Sequence, residues 1–295
     1  MSISHLLLWL TAAIWGFAFV AQSAGMDSLG PHSFNAARFL LATLSLLPLL
    51  LIFKVRKAQN KRLLWLGGLA AGCCLFLGFT FQQMGLQYTT AGNAGFITSM
   101  YIVFVPILGL LLGHKTEKST WLGVGFALVG LYCLTIGPNL SINKGDAMQL
   151  IGTLFWTGHV LVIGYLSRHV AAIPLSIVQF SVATILATIT AFTIETPTLE
   201  NIQLAWWPLI YTGIAASGIA CTLQTLGQRR VSPSISALIL SSEAIFAALG
   251  GWLLIDENLS SRALLGCSLI MTGMIISQWP RQPKPVLEKT EALIN

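Results

Sequence analysis

Ten runs of mostly apolar residues follow one another along the 295-residue chain, at roughly 5–24, 33–53, 63–84, 90–112, 119–137, 146–166, 174–194, 206–227, 233–254 and 262–279. A helix needs about 20 such residues to cross the hydrocarbon core of a bilayer. Strands of a membrane barrel would alternate polar and apolar residues, and these runs do not. Backbone N–H and C=O groups in lipid must be satisfied within their own segment, so each run is expected to be a helix. Composition agrees. Only 9% of the residues are charged and 55% are hydrophobic, against about 25% charged residues in soluble domains. So little charge cannot clothe a globule in water. The expected fold class is an all-α polytopic membrane protein with ten transmembrane helices and the lipid bilayer as its solvent.

Charge then orients the chain. The net charge is +6, but the basic residues sit in short loops between apolar runs, so nucleic acid is not an expected partner. With the N-terminus in the cytoplasm, the inside segments hold thirteen Lys and Arg residues, from Lys54 to Lys289, while the outside loops hold only Lys144 and Arg262. The positive-inside rule therefore predicts an inner- or plasma-membrane protein with both termini cytoplasmic. Trp65, Trp121, Trp206, Trp207 and Trp279 fall at span ends, where indoles favour the headgroup layer. No Lys or Arg precedes the first run, which reads as an uncleaved helix rather than a signal peptide. Residues 281–295 are expected to form a short disordered cytoplasmic tail.

Several chemistries are not expected. Cys73, Cys74, Cys133, Cys221 and Cys267 all lie in apolar runs without CxxC or Cys/His spacing, so they read as small packing residues rather than a disulfide framework or metal site. There is no GxxxxGK[ST], HExxH or GxSxG, and the loops are too short for a catalytic domain. No cofactor is expected. A membrane-embedded enzyme acting on a lipid-linked substrate would need acids clustered at one interface. Here Glu243 is solitary mid-span, while Asp256 and Glu257 lie at a span end.

The chain also repeats itself. Trp15 in AIWGF matches Trp156 in LFWTG, and ARFLLAT (37–43) matches VQFSVAT (178–184), both at an offset of 141. FQQMG (81–85) matches LQTLG (223–227) and VFVPILGLLL (103–112) matches IFAALGGWLL (245–254), both at 142. GVGFALVG (123–130) matches GCSLIMTG (266–273) at 143. Each copy holds five spans. Five is odd, so the second copy enters the membrane upside down. Residues 1–140 and 141–280 are expected to be two five-helix repeats of inverted topology. That symmetry is a signature of secondary transporters, because exchanging the conformations of two inverted copies turns an inward-open protein outward.

The same stretches resemble the ten-helix, EamA-type branch of the drug/metabolite transporter superfamily. The resemblance rests on WGFAF (15–19), ARFLLA (37–42), LQYTTAGNAGFITSMYIVFVPILGLLLG (86–113) and EAIFAALGGWLLIDENLS (243–260), and covers about residues 5–279. The sequence departs from that branch after LLLG of the first copy, where His114 and Lys115 replace the acidic residue often found there. The resemblance implies a secondary transporter of small organic solutes, amino acids or related metabolites, working by alternating access and in the direction of export. A passive facilitator and a multidrug exporter of the same fold are the alternatives.

The polar groups inside the spans supply the candidate site. Glu243 sits mid-span, where a carboxylate usually faces water, a partner or a proton; protons are the expected coupling ion. Its counterpart at offset 142 is Tyr101. Trp15 and Trp156 also lie mid-span and are expected at similar depth on opposite sides, walling a cavity. Gln82 and His159 are the next candidates. Arg38 lies about 7 Å below the start of its helix, within reach of a snorkelling side chain. It is expected either to anchor that helix or to face the cavity. Gly68/Gly72 and Gly109/Gly113 have the spacing of close helix approaches, within the chain or in a homodimer. Pro48 and Pro106 are expected to kink their helices.

Overall fold

A computed structural model describes residues 2–52, 60–113, 116–135, 143–255 and 261–278, all of whose regular elements are helical. Asp256, Glu257, His114, Lys115, Trp279, the 281–295 tail and the basic cluster at 54–57 lie outside the described residues. Seven spans are unbroken helices: α1 (Ile3–Gly25), α2 (Pro31–Ile52), α3 (Lys61–Leu86), α6 (Lys118–Thr135), α7 (Lys144–Leu166), α8 (Ala172–Ile194) and α14 (Ser261–Gln278). The predicted fourth span is two helices, α4 (Ala91–Ser99) and α5 (Tyr101–Leu111). After the short α9 (Leu199–Leu204), the eighth span begins as α10 (Trp206–Ile210). It becomes π-helical over Tyr211–Ile219 and ends as α11 (Ala220–Gln228). The ninth is again two pieces, α12 (Pro233–Leu240) and α13 (Glu243–Leu254), and α14 (Ser261–Gln278) closes the fold.

Among the described residues, eight segments are long and apolar enough to cross a membrane, and α6 and α14 add two further helices of 18 residues each. Helix starts follow local chemistry. Asn60, Thr90, Ser232 and the Asn143/Asp146 capping box supply side-chain oxygens to free N–H groups. The N-terminus of α2 is capped from a distance: the Glu195 carboxylate accepts from the backbone N–H of His32 (2.9 Å) and Ser33 (2.8 Å), and from the Ser33 hydroxyl. A carboxylate there also meets the positive end of the helix dipole.

Contacts between the copies are symmetric. α2 packs on its counterpart α8, α3 packs on α7, and α1 packs on α11. Phe39 lies 6.0 Å from its counterpart Phe180, and the Thr43 and Thr184 hydroxyls are 3.5 Å apart. The last helices of the copies, α6 and α14, meet through glycine. A Cβ on Gly123 would lie 2.5 Å from the Gly273 carbonyl oxygen, and one on Gly130 would lie 2.6 Å from that of Gly266. Gly123 matches Gly266 in the repeat, and Gly130 matches Gly273. Each glycine therefore touches the counterpart of the other, so the two helices run antiparallel, as inversion requires.

The other glycine pairs divide. Gly68 and Gly72 let α3 lie against Val178, Val182 and the Gln179 carbonyl of α8, an intramolecular seam. Gly113 has nothing within 4 Å of a Cβ, but its φ of +80° ends α5 in the left-handed region. It therefore belongs to a helix stop rather than to a packing pair.

The helix breaks do not fall at proline. α5 continues through Pro106, and the interruption lies at Met100. Its twin lies at Ser241–Ser242, 142 residues on. There the Ser241 and Ser242 hydroxyls donate to the carbonyls of Leu238 (2.8 Å) and Ile239 (2.7 Å) three residues back, competing with the helix's own bonds. Ser99 Oγ donates to the Ser241 carbonyl at 3.2 Å, so the two breaks touch.

The outer surface is apolar and the interior holds the polar side chains. Leu51, Leu111, Phe192, Ile185 and Ile189 face outward, while Gln22, Arg38, Gln82, Gln83, Gln149, Gln179, Gln224 and Glu243 are buried. Trp65, Trp206 and Trp207 are exposed at helix ends.

The glycine seam gives the first prediction. Gly123→Val or Gly130→Val should lower the thermal unfolding temperature of the detergent-purified protein, at a cost of about 1–3 kcal/mol from overpacking. Gly125→Val on the same helix should leave it unchanged, because a Cβ there meets nothing within 4 Å.

Candidate functional site

A pocket lies where α1, α2, α3 and α7 surround the two helix breaks. α1 contributes Trp15, Ala18, Phe19 and Gln22, which recur at helical spacing on one face. α2 contributes Arg38, α3 Phe79 and Gln82, and α7 Trp156 and Val160. The broken helices contribute Thr98, Tyr101 and Glu243, and the π-helical segment contributes Ala216. Trp15, Tyr101, Trp156, Glu243, Gln82 and Arg38, scattered over 229 positions of sequence, thus line one pocket. His159 does not line it. Its ring is fully buried beside the cavity, 5.9 Å edge-on from Trp156, with Nε2 3.1 Å from Gln179 Oε1. It braces the indole from behind.

Arg38 does not snorkel. Its side chain is 0% exposed, and its length is spent reaching inward. One guanidinium nitrogen donates to Gln22 Oε1 at 2.8 Å and the other to Ser217 Oγ at 3.3 Å, while Cζ sits 4.1 Å over the Phe79 ring. The ring's negative face attracts the cation. Among the described residues no carboxylate pairs with it, and Nε has no hydrogen-bond partner. The site holds a cation that neutral groups alone keep in place.

An amide relay carries this arrangement across the cavity wall. Gln22 Oε1 accepts from Arg38 and also from Gln82 Nε2 at 3.1 Å. Gln82 Oε1 accepts from Trp156 Nε1 at 2.9 Å, and the Gln82 carbonyl accepts from Gln149 Nε2 at 2.8 Å. Each Gln thus fixes the orientation of the next. The two tryptophans are not on opposite sides: their rings are 5.9 Å apart and tilted by 48°. Phe79 meets Trp156 edge-on at 4.5 Å. The result is a continuous aromatic wall.

Glu243 opens α13 at the second break, and Tyr101 opens α5 at the first. The Glu243 carboxyl lies near the Tyr101 and Ser99 hydroxyls, yet Tyr101 Oη and Glu243 Oε1 have no hydrogen-bond partner among the described residues. An acid in the first turn of a helix is favoured by the dipole. Among the described residues no three His, Cys, Asp or Glu side chains converge to hold a metal ion.

Gln22, Phe79 and Ser217 were not foreseen from the sequence. Gln22 carries a readable signal: it is seven residues after Trp15 and thus on the same face of a span with few other polar groups. Phe79 stands three residues before Gln82 in the same way. Nothing marks Ser217, whose role depends on the irregular helix around it.

The family follows from comparison. A model of the EamA-like transporter family matches residues 2–136 and again 143–278. The chain belongs to the EamA-like transporter family. An uncharacterized transporter of Archaeoglobus fulgidus is 35% identical over 91% of this chain and 83% of its own length. The uncharacterized transporter YwfM of Bacillus subtilis is 25% identical over 96% of each chain. The uncharacterized inner membrane transporter YedA of Escherichia coli K12 is 25% identical over 89% of this chain and 86% of its own. A crystal structure of a protein 15% identical superposes with a TM-score of 0.75 over 93% of this chain and 96% of that one, which shows the shared fold. This EamA-like protein is a membrane transporter with a two-repeat helical fold.

The relay predicts a coupling. Gln22→Leu should destabilise the protein by about 1.5–3 kcal/mol, because it strips a charge-assisted bond from a buried guanidinium. Adding Arg38→Met to that variant should recover part of the loss, a non-additivity measurable by denaturant unfolding in a double-mutant cycle.

Proposed function

We propose that this transporter moves small organic solutes, amino acids or related metabolites, outward across the inner or plasma membrane by alternating access. Both termini are cytoplasmic in this reading. The observation that carries it is the cavity at the two touching helix breaks, with a buried cation at Arg38, a carboxyl at Glu243 and two indoles between the repeats. Discontinuous helices meeting near the middle of inverted repeats are where such proteins hold their solutes.

The chemistry of the lining supports the solute class. Arg38 offers a charge-assisted bond to a carboxylate. Trp15, Trp156 and Phe79 offer apolar and cation-π surface to a side chain or an ammonium group. Glu243 serves as the coupling group, giving a proton to one face and recovering it from the other. Tyr101, Gln82 and Gln22 orient the solute's polar groups, and His159 supports Trp156.

Counterflow in proteoliposomes tests the reading. With unlabelled solute inside and no ion gradient, a labelled amino acid should accumulate, and Trp156→Ala should abolish the accumulation. Silence across amino acids while a lipophilic cation exchanges would move the solute class. Silence across every solute, with and without a proton gradient, would overturn the transport assignment. Glu243→Gln should keep exchange but lose its response to a pH gradient; a wild-type response would remove protons from the mechanism. Arg38→Gln should raise the half-saturation concentration of a carboxylate solute by about tenfold or more.

A further inference from the structure

Two indoles stand at matching places in the two repeats, Trp15 on α1 and Trp156 on α7. The amide facing each indole's helix is also duplicated, as Gln82 on α3 and Gln224 on α11. α3 packs on α7 just as α11 packs on α1. Only one of the two pairs is closed. Trp156 Nε1 donates to Gln82 Oε1 at 2.9 Å. Trp15 Nε1 donates instead to the backbone carbonyl of Ala216 at 2.8 Å. Gln224 is 0% exposed, and neither its Oε1 nor its Nε2 has a hydrogen-bond partner among the described residues.

The asymmetry has a local basis. Ala216 lies in the π-helical stretch Tyr211–Ile219, whereas the matching part of α3 is α-helical throughout Lys61–Leu86. A π segment changes the register of its helix and the aim of its carbonyls. The two copies, alike in sequence, therefore hold different conformations at the same position. Leaving a buried amide without partners is costly, and such a group in a native structure calls for an explanation.

We propose that Gln224 is the acceptor of the Trp15 indole in the opposite conformation of this transporter, and that the Trp15–Gln224 bond forms as the Trp156–Gln82 bond breaks. The proposal rests on the alternating-access reading above. If the repeats exchange conformations, the second copy takes on the geometry that the first holds now. The closed pair, Trp156 with Gln82, shows what that geometry is. Each state gives one of the two glutamines an indole partner, and Gln82 keeps its bond to Gln22 when the Trp156 bond breaks. A carrier needs two states of similar free energy, since a solute can shift their balance only by its differential affinity.

Fluorine NMR of the 5-fluorotryptophan-labelled protein in lipid nanodiscs tests this without any solute. Trp15→Phe and Trp156→Phe assign the two resonances. Each should show two environments with matching populations. Gln224→Leu should shift the ratio about tenfold toward the present state, and Gln82→Leu about tenfold the other way. Gln224→Glu, which keeps a carbonyl oxygen as acceptor, should stay near wild type. Unchanged populations in Gln224→Leu, or shifts of both Leu variants in the same direction, would overturn the exchange. Should Gln224→Leu fail to fold, Gln82→Leu decides alone, and an unmoved Trp15 resonance sinks the proposal. Exchanging indoles in a protein silent in every counterflow assay would overturn the transport reading instead and leave this one standing.

Discussion

Hydrocarbon cannot hydrogen-bond, so the polar groups this chain carries into the bilayer are turned toward the protein. That constraint orders the rest of the structure. It keeps the backbone helical, sends Leu and Ile outward, and collects the glutamines inside. It also explains why Gln22 has such reach. One carbonyl oxygen receives both the Arg38 guanidinium and the Gln82 amide, so α1, α2 and α3 are tied at one atom. The tie extends through Gln82 to Trp156 on α7, crossing from one repeat to the other.

The same constraint makes the breaks at Met100 and Ser241–Ser242 informative. Interrupted helices are tolerated at depth only where protein or a cavity surrounds them. Here they touch through Ser99 and the Ser241 carbonyl and open onto the cavity that holds Tyr101 and Glu243. Serine hydroxyls turned back on their own helix produce the second break. The Glu195 carboxylate satisfies the free N–H groups at the start of α2.

Much of this was legible in the sequence. Hydropathy located the spans to within a few residues, and the offsets of 141 to 143 matched α2 with α8 and α6 with α14, which pack on each other. Depth within a span brought Trp15, Tyr101, Trp156, Glu243 and Gln82 forward as candidates, and they line one cavity. Other features were not legible. Snorkelling depends on which way a side chain points, and rise per residue says only how deep Arg38 lies. His159 looked like a cavity residue because depth alone does not distinguish the face of α7 that meets Gln179 from the face that carries Trp156. The break at Met100 in the fourth span was not legible either, because no proline or glycine marks it. The π-helical segment, and with it the contact of Ser217 with Arg38, follows from tertiary packing.

The glycine seam between α6 and α14 carries a consequence for how such a chain could have arisen. Gly123 and Gly130 lie against Gly273 and Gly266, which are the counterparts of this pair in the other copy. A lone five-helix unit would leave that strip bare to the lipid. The partner that fits the strip is the same unit inserted with the opposite orientation. A single-copy ancestor would therefore have had to enter the membrane both ways round and pair with itself. Fusing two copies fixes one orientation for each and frees them to diverge, as Arg38 and Gln179 have done.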